Sequence, residues 1–188
     1  MGRKMDKIQK LAINCIVLIS FSSAIFTDEL KDIIDSKKSS FEEIALDIWN
    51  YAELGYLETK SSNLLASELE ENGFMIQKGV AGIPTSFIAE FNNGGPIIGI
   101  LGEFDALPGL AQTNSPFKEV ANNETGAGHA CGHHLFGAAS AWAAVAIKEW
   151  IEENNIEGTI RFYGTPAEEG GSGNCLLYTS PSPRDLST

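Results

Sequence analysis

Histidine is nearly absent from this chain of 188 residues: it occurs three times, and every copy lies in the stretch GHACGHH at residues 128–134. Cysteine is as scarce. Of its three copies, Cys15 sits in an N-terminal apolar run and Cys175 in a tail of anomalous composition, which leaves Cys131 alone in the body of the chain. That excludes an internal disulfide framework, and a lone cysteine among histidines reads as a ligand or nucleophile rather than a staple. Basic residues are few, 13 against 25 acidic ones, for a formal net charge of -12. Without a concentrated basic surface a nucleic-acid partner is excluded. Internal repeats and low-complexity linkers are missing too. A sizeable core is not: 43% of the residues are hydrophobic and only 20% charged, the balance of an ordinary globular protein.

Both ends are set apart before the fold is considered. Arg3, Lys4, Lys7 and Lys10 precede an apolar run from Leu11 to about Ile25 that Asn14 and three serines interrupt. The run is short for a span, which needs about 20 apolar residues, and it follows the grammar of a secretory signal peptide over residues 1–26. Secretion is the expectation; a retained anchor or amphipathic helix on a cytoplasmic protein is the alternative. The tail CLLYTSPSPRD, residues 175–185, matches codon by codon the translation of a transposon-type sequencing adapter. Residues 175–188 are therefore expected to be foreign, and the codon of Asn174 to have encoded lysine before the junction. Residues 27–174 remain as the native folded part.

Within that part, apolar residues recur at helical spacing from Leu30 to Trp49, fitting two helices or one interrupted helix, with Ser39 or Ser40 opening the second half. ELGYLE turns the chain at Gly55, and residues 59–72 read as another amphipathic helix closed by Gly73. The period then changes. FMIQKGV, PTSFIAEFN and PIIGILGEF are β-type runs, with Asn93-Gly94 predicting a hairpin, and the almost wholly apolar third run predicts a strand buried on both faces. A long alanine-rich helix from the GHH motif and a last strand, GTIRFYGTP, complete an α/β pattern with a mixed sheet. The polar loop of residues 110–127 is long enough to suggest function or mobility, and its Asn123-Glu124-Thr125 triplet matches a glycosylation acceptor, a pattern common by chance.

Three clusters carry chemistry. GEFD, residues 102–105, and PAEEGG, residues 166–171, each follow a strand, and GHACGHH stands at the mouth of the long helix. Carboxyl ends of strands are where α/β sheets gather ligands. Cys131 and His133 suit zinc or a similar divalent ion, and their spacing lets both reach one centre from a loop entering a helix. The bland alternative is a buried thiol and a helix-capping histidine. Glu168 and Glu169 are either a solvated acidic turn or a pair with divided labour, one ligating an ion and the other taking a proton from water. Asp105 is a turn residue or a member of the same site. GGSG lacks the lysine and Ser/Thr of a phosphate loop, which excludes that reading.

Taken together, LGEFDALPGLAQ, GHACGHH, AAVAIKEW and GTIRFYGTPAEEGGSG resemble the M20 metallopeptidase family, above all its amidohydrolase branch of aminobenzoyl-glutamate hydrolase-like proteins and M20 domain-containing dipeptidases, over residues 41–173. The resemblance implies a zinc-peptidase-like α/β catalytic domain with a mixed sheet and flanking helices, an inserted smaller domain that makes homodimers, and two divalent metal ions, zinc or else manganese. It implies Cys131, His133 and Glu169 as metal ligands and Glu168 as general base. Asp105 matches the family's aspartate and joins the catalytic set. Glu103 occupies a position where many relatives carry histidine, so metal binding there is not expected, and His129 and His134 are assigned to orienting the ligands. The implied reaction is hydrolysis of an amide bond in a small substrate: a dipeptide, an N-acyl amino acid or aminobenzoyl-glutamate. The family also needs histidines further along, and none follows His134, so the chain as written is expected to be inactive and the whole protein active. A noncatalytic binding protein on the same fold is the rival reading.

Overall fold

The computed structural model describes the backbone of residues 7–175, and side chains from residue 29 within that range. Of the two ends set apart from sequence, residues 1–6 of the expected leader and residues 176–188 of the expected tail lie outside the described residues.

Helix α1 spans Lys7–Tyr51 without a break. The expected interruption near Ser39 does not occur. No proline or glycine lies within this span; the Ser36 hydroxyl bonds the Ile33 carbonyl at 2.7 Å, and Lys31–Asp35 bridges one turn at 2.8 Å. Serine alone disfavours a helix interior too weakly to end one. Among the described residues no helix is long and apolar enough to cross a membrane. Helix α2, Thr59–Glu71, follows the ELGYLE turn and ends at Asn72 and Gly73, the latter at φ +88°.

The main sheet has four strands: β1 (Met75–Lys78), β2 (Phe87–Asn93), β3 (Ile97–Glu103) and, after a two-stranded ribbon of β4 (Leu107–Pro108) and β5 (Ala127–Gly128), β6 (Gly158–Thr165). Their spatial order is β1-β2-β6-β3, with β3 and β6 parallel and the other pairs antiparallel. The expected mixed sheet is thus present. The expected β2–β3 hairpin is not, because β6 inserts between the two strands. Gly94 and Gly95, at φ +70° and +63°, still turn the chain, but the Thr159 hydroxyl of the inserted strand bonds the Gly94 carbonyl at 3.0 Å. Among the described residues β3 has β6 as its one neighbour and is not buried on both faces: Ile97 and Ile98 are 58% and 51% exposed.

Helix α3 (His133–Glu153) connects β3 to β6 and packs on the sheet through Ala138, Ala141, Ala144 and Val145. The close approach depends on two glycines: a Cβ on Gly137 would stand 2.6 Å from the Glu103 carbonyl oxygen, and one on Gly102 would strike the Phe162 ring. On the outer side α1 lies against α3, with Phe41 and Trp142 stacked at 5.8 Å and the Trp142 indole N–H donating to the Ile34 carbonyl. Between the layers sit Phe41, Ile48, Leu65, Leu69, Phe87 and Phe162. The result for the site is simple. Parallel pairing of β3 with β6, with Glu103 opposite Thr165, brings both carboxyl ends to one rim, and the first residue of α3 stands over it. In the long loop, the Asn123 amide donates to the Ala127 carbonyl and accepts the Gly126 N–H.

Candidate active site

Chemically capable side chains from all three motif clusters meet at this rim. His133 is its centre: Gly132, at φ +91°, turns the chain into α3 so that the imidazole is buried against the end of β3. Its Nδ1 donates to Asp105 Oδ1 at 2.9 Å. That bond fixes the ring and aims Nε2 at three carboxylates, Glu103 at 3.0 Å, Glu168 at 3.8 Å and Glu169 at 3.9 Å. Cys131 enters from the loop before α3. Its sulfur, the His133 imidazole and a Glu169 oxygen lie within 4.8 Å of one another, and so do the ligand atoms of Glu103, His133 and Glu168.

Asp105 does two jobs. Its second oxygen accepts the Glu169 backbone N–H at 3.0 Å, so one buried carboxylate sets the histidine ring and the glutamate turn together. The turn itself is a short helix, α4 (Glu168–Gly171), entered through Ala167 in the left-handed region at φ 55°.

The electrostatics follow from crowding of like charge. Burial opposes a charge on His133, but the Asp105 hydrogen bond and the surrounding carboxylates outweigh it and raise its pKa. Glu168 is raised by desolvation and then by the field of Glu103, with His133 working the other way. The Cys131 thiol is raised first by its bond with Glu169 and then by burial. One Glu169 oxygen is buried without a hydrogen-bond partner. A soft sulfur, an oriented imidazole, an unpartnered buried carboxylate oxygen and further carboxylates around one point are a donor set that suits divalent cations, and the residues fit such a group.

All five site residues expected from sequence therefore converge: Cys131, His133, Glu168, Glu169 and Asp105. Glu103, at which metal binding is not expected from the family pattern, converges with them, and its position two residues before Asp105 at a strand end was the available clue. His129 and His134 do not reach the ligands. The His129 Nε2–H donates to the Ile48 carbonyl at 3.0 Å, and the His134 ring packs edge-on against Trp49 at 4.9 Å, so both tie the motif to α1 while Asp105 orients His133. Asn174, at the junction with the tail, donates to Glu103 at 2.6 Å.

A thiol, an imidazole and paired glutamates thus meet where neighbouring parallel strands of an α/β sheet end. The sequence pattern of Peptidase family M20/M25/M40 matches residues 99–180, and the chain belongs to this family. It is 42% identical over 148 residues to one of the subunits of p-aminobenzoyl-glutamate hydrolase from Escherichia coli strain K12, an alignment covering 79% of this chain and 31% of that protein. Against N-acetylcysteine deacetylase of Bacillus subtilis strain 168 it is 35% identical, covering 68% and 32% of the two chains. The crystal structure of the Bacillus subtilis YXEP protein, a dinuclear metal-binding peptidase of the M20 family, superposes with a TM-score of 0.62 at 26% identity, over 78% of this chain and 41% of that one. The chain spans about a third of the length of the curated relatives it matches.

Proposed function

We propose that the whole protein hydrolyses amide bonds in small substrates, of the aminobenzoyl-glutamate, N-acyl amino acid or dipeptide type, with two divalent metal ions. The observation that carries this reading is the convergence of Cys131, His133 and Glu169 within ligand distance of one another, with Glu103 and Glu168 alongside. The relatives support the substrate class, since one belongs to a p-aminobenzoyl-glutamate hydrolase and another is an N-acetylcysteine deacetylase.

Cys131, His133 and Glu169 would hold a metal, with Glu103 at the edge of the same set; zinc suits a thiolate beside an imidazole. Metal ions held there would supply Lewis acidity toward an amide carbonyl and water. The chain's own contribution is positional and acid–base. Asp105 keeps His133 in the tautomer with its proton on Nδ1. Glu168, more exposed than Glu169 and raised above its usual pKa, takes a proton from the attacking water on a carboxylate oxygen and returns it to the leaving amine nitrogen.

The test is an assay of the purified whole protein on p-aminobenzoyl-glutamate, N-acetylcysteine and simple dipeptides. Hydrolysis of at least one is expected, with loss on chelation and return on adding zinc or manganese. Turnover that survives complete metal removal would refute the reading. Cys131→Ser is expected to weaken zinc binding by at least about tenfold, because a neutral hydroxyl replaces a thiolate donor. Competition against a chromophoric chelator measures this, and an unchanged affinity would remove Cys131 from the ligand set.

A further inference from the structure

Glu58 is a carboxylate with no solvent exposure, far in sequence from GEFD, GHACGHH and PAEEGG. It occupies the N-cap of α2, yet its side chain makes no capping bond there. Glutamate is an unusual N-cap, and capping is done from elsewhere: Glu53 accepts the Lys60 and Ser61 backbone N–H groups at 3.0 and 2.9 Å. Glu58 is thereby free to point inward. One of its oxygens accepts the Thr85 hydroxyl at 2.9 Å, and the other accepts the Ala167 backbone N–H at 2.8 Å.

Ala167 is the residue that enters the Glu168–Glu169 turn, and it does so in a left-handed conformation that is unfavourable for a residue with a Cβ. Such a conformation persists only where its surroundings fix it. Here the 55–58 segment supplies three restraints. Gly55 lies so close that a Cβ on it would stand 3.0 Å from the Ala167 Cα, the Tyr56 hydroxyl donates to the Gly171 carbonyl at 2.9 Å, and Glu58 holds the Ala167 N–H. Asp105 grips the same turn two residues later, at the Glu169 N–H. Two buried carboxylates thus hang the turn at alternate amides.

We infer that Glu58 is a positioning residue: by holding Ala167 in its left-handed conformation it fixes the direction in which Glu168 and Glu169 face the cluster. The Glu58 carboxylate bonds Thr85 and Ala167 rather than any of the proposed ligands, and it acts through the turn. The inference rests on the proposed function for its consequence, but the holding of the turn can be read without any metal.

The experiment compares the whole protein with its Glu58→Ala and Glu58→Gln variants, each well below its own unfolding temperature. Hydrogen exchange of the metal-free proteins is measured first, followed by zinc affinity by chelator competition. Glutamine can still accept the Ala167 N–H through its amide oxygen and donate to the Thr85 hydroxyl, so it serves as the conservative rescue. Glu58→Ala is expected to lose at least about tenfold in protection at residues 167–173 while β2 and β6 keep theirs. Zinc binding should weaken by about tenfold, as for loss of a group supporting a ligand, with Glu58→Gln within about threefold of wild type in both measurements. A Glu58→Ala variant with wild-type protection and wild-type zinc affinity overturns the inference, and so does a Gln variant as impaired as Ala. If the turn loosens in Glu58→Ala but no form of the protein takes up zinc, the holding role stands and the metal reading falls.

Discussion

Glu168→Gln in the whole protein is expected to lower amide hydrolysis by about 10²–10⁴-fold, the usual contribution of a positioned general base, while metal content stays at the wild-type value. The substitution keeps the shape of the side chain and removes only its ability to accept a proton. Two features single out Glu168 rather than its neighbour. Its side chain is 41% exposed against 21% for Glu169, so water reaches it, and Glu169 is the one whose buried oxygen lacks a partner and whose carboxylate meets both Cys131 and His133. Desolvation, followed by crowding from Glu103, also raises the pKa of Glu168, the direction that strengthens a base. The assay is paired with metal analysis. Turnover within a few-fold of wild type would end the base assignment, and loss of a bound ion with loss of activity would exchange the roles of the two glutamates.

The second large effect concerns acid stability and His129. Its ring is buried, its Nδ1 has no partner, and burial followed by the neighbouring His134 lowers its pKa from 6.5 to about 4. Below pH 6.5 the unfolded chain takes up a proton at this ring, whereas the folded chain does not until about pH 4. Stability present above pH 6.5 is therefore lost as the pH falls through that window, on the order of 3 kcal/mol for this one group. His134, also lowered by burial, adds in the same direction, and His133, whose pKa is raised, acts in the opposite one. The comparison that isolates His129 is urea unfolding of wild type and His129→Gln near neutral pH and near pH 4. Glutamine can still donate to the Ile48 carbonyl, and the variant is expected to lose less stability between the two conditions. Equal losses would show that His129 accepts its proton readily in the folded state.

Much of the fold and of the cluster is readable from sequence because it is local. The alternation and apolar runs around β2, β3 and β6, the 3.6-residue period of α2 and α3, and the placing of GEFD and PAEEGG after strands each depend on neighbours within a few positions. What escapes is set by distant partners. Nothing near Asn93-Gly94 announces that β6, over sixty positions later, will separate β2 from β3, and a hairpin is the natural local reading. Glu58 looks like one more acid in an acidic chain because burial of a carboxylate is decided by Thr85 and Ala167, both remote. What relatives carry at the position of Glu103 says nothing of its neighbours here, whereas the register of β3 against β6 places it beside His133.

The parallel β3–β6 pairing also bears on the order in which the molecule comes together. Partners such as Ile97 and Thr159 are about sixty residues apart, and closing a loop of that length costs entropy before any contact repays it. The residues of the cluster belong to three stretches that only this closure unites. Their meeting is thus expected to be among the late events of folding, after α1, α2 and the β1–β2 hairpin have formed. An ion captured by the assembled cluster would then act as a latch on finished molecules, slowing their unfolding far more than it speeds their folding.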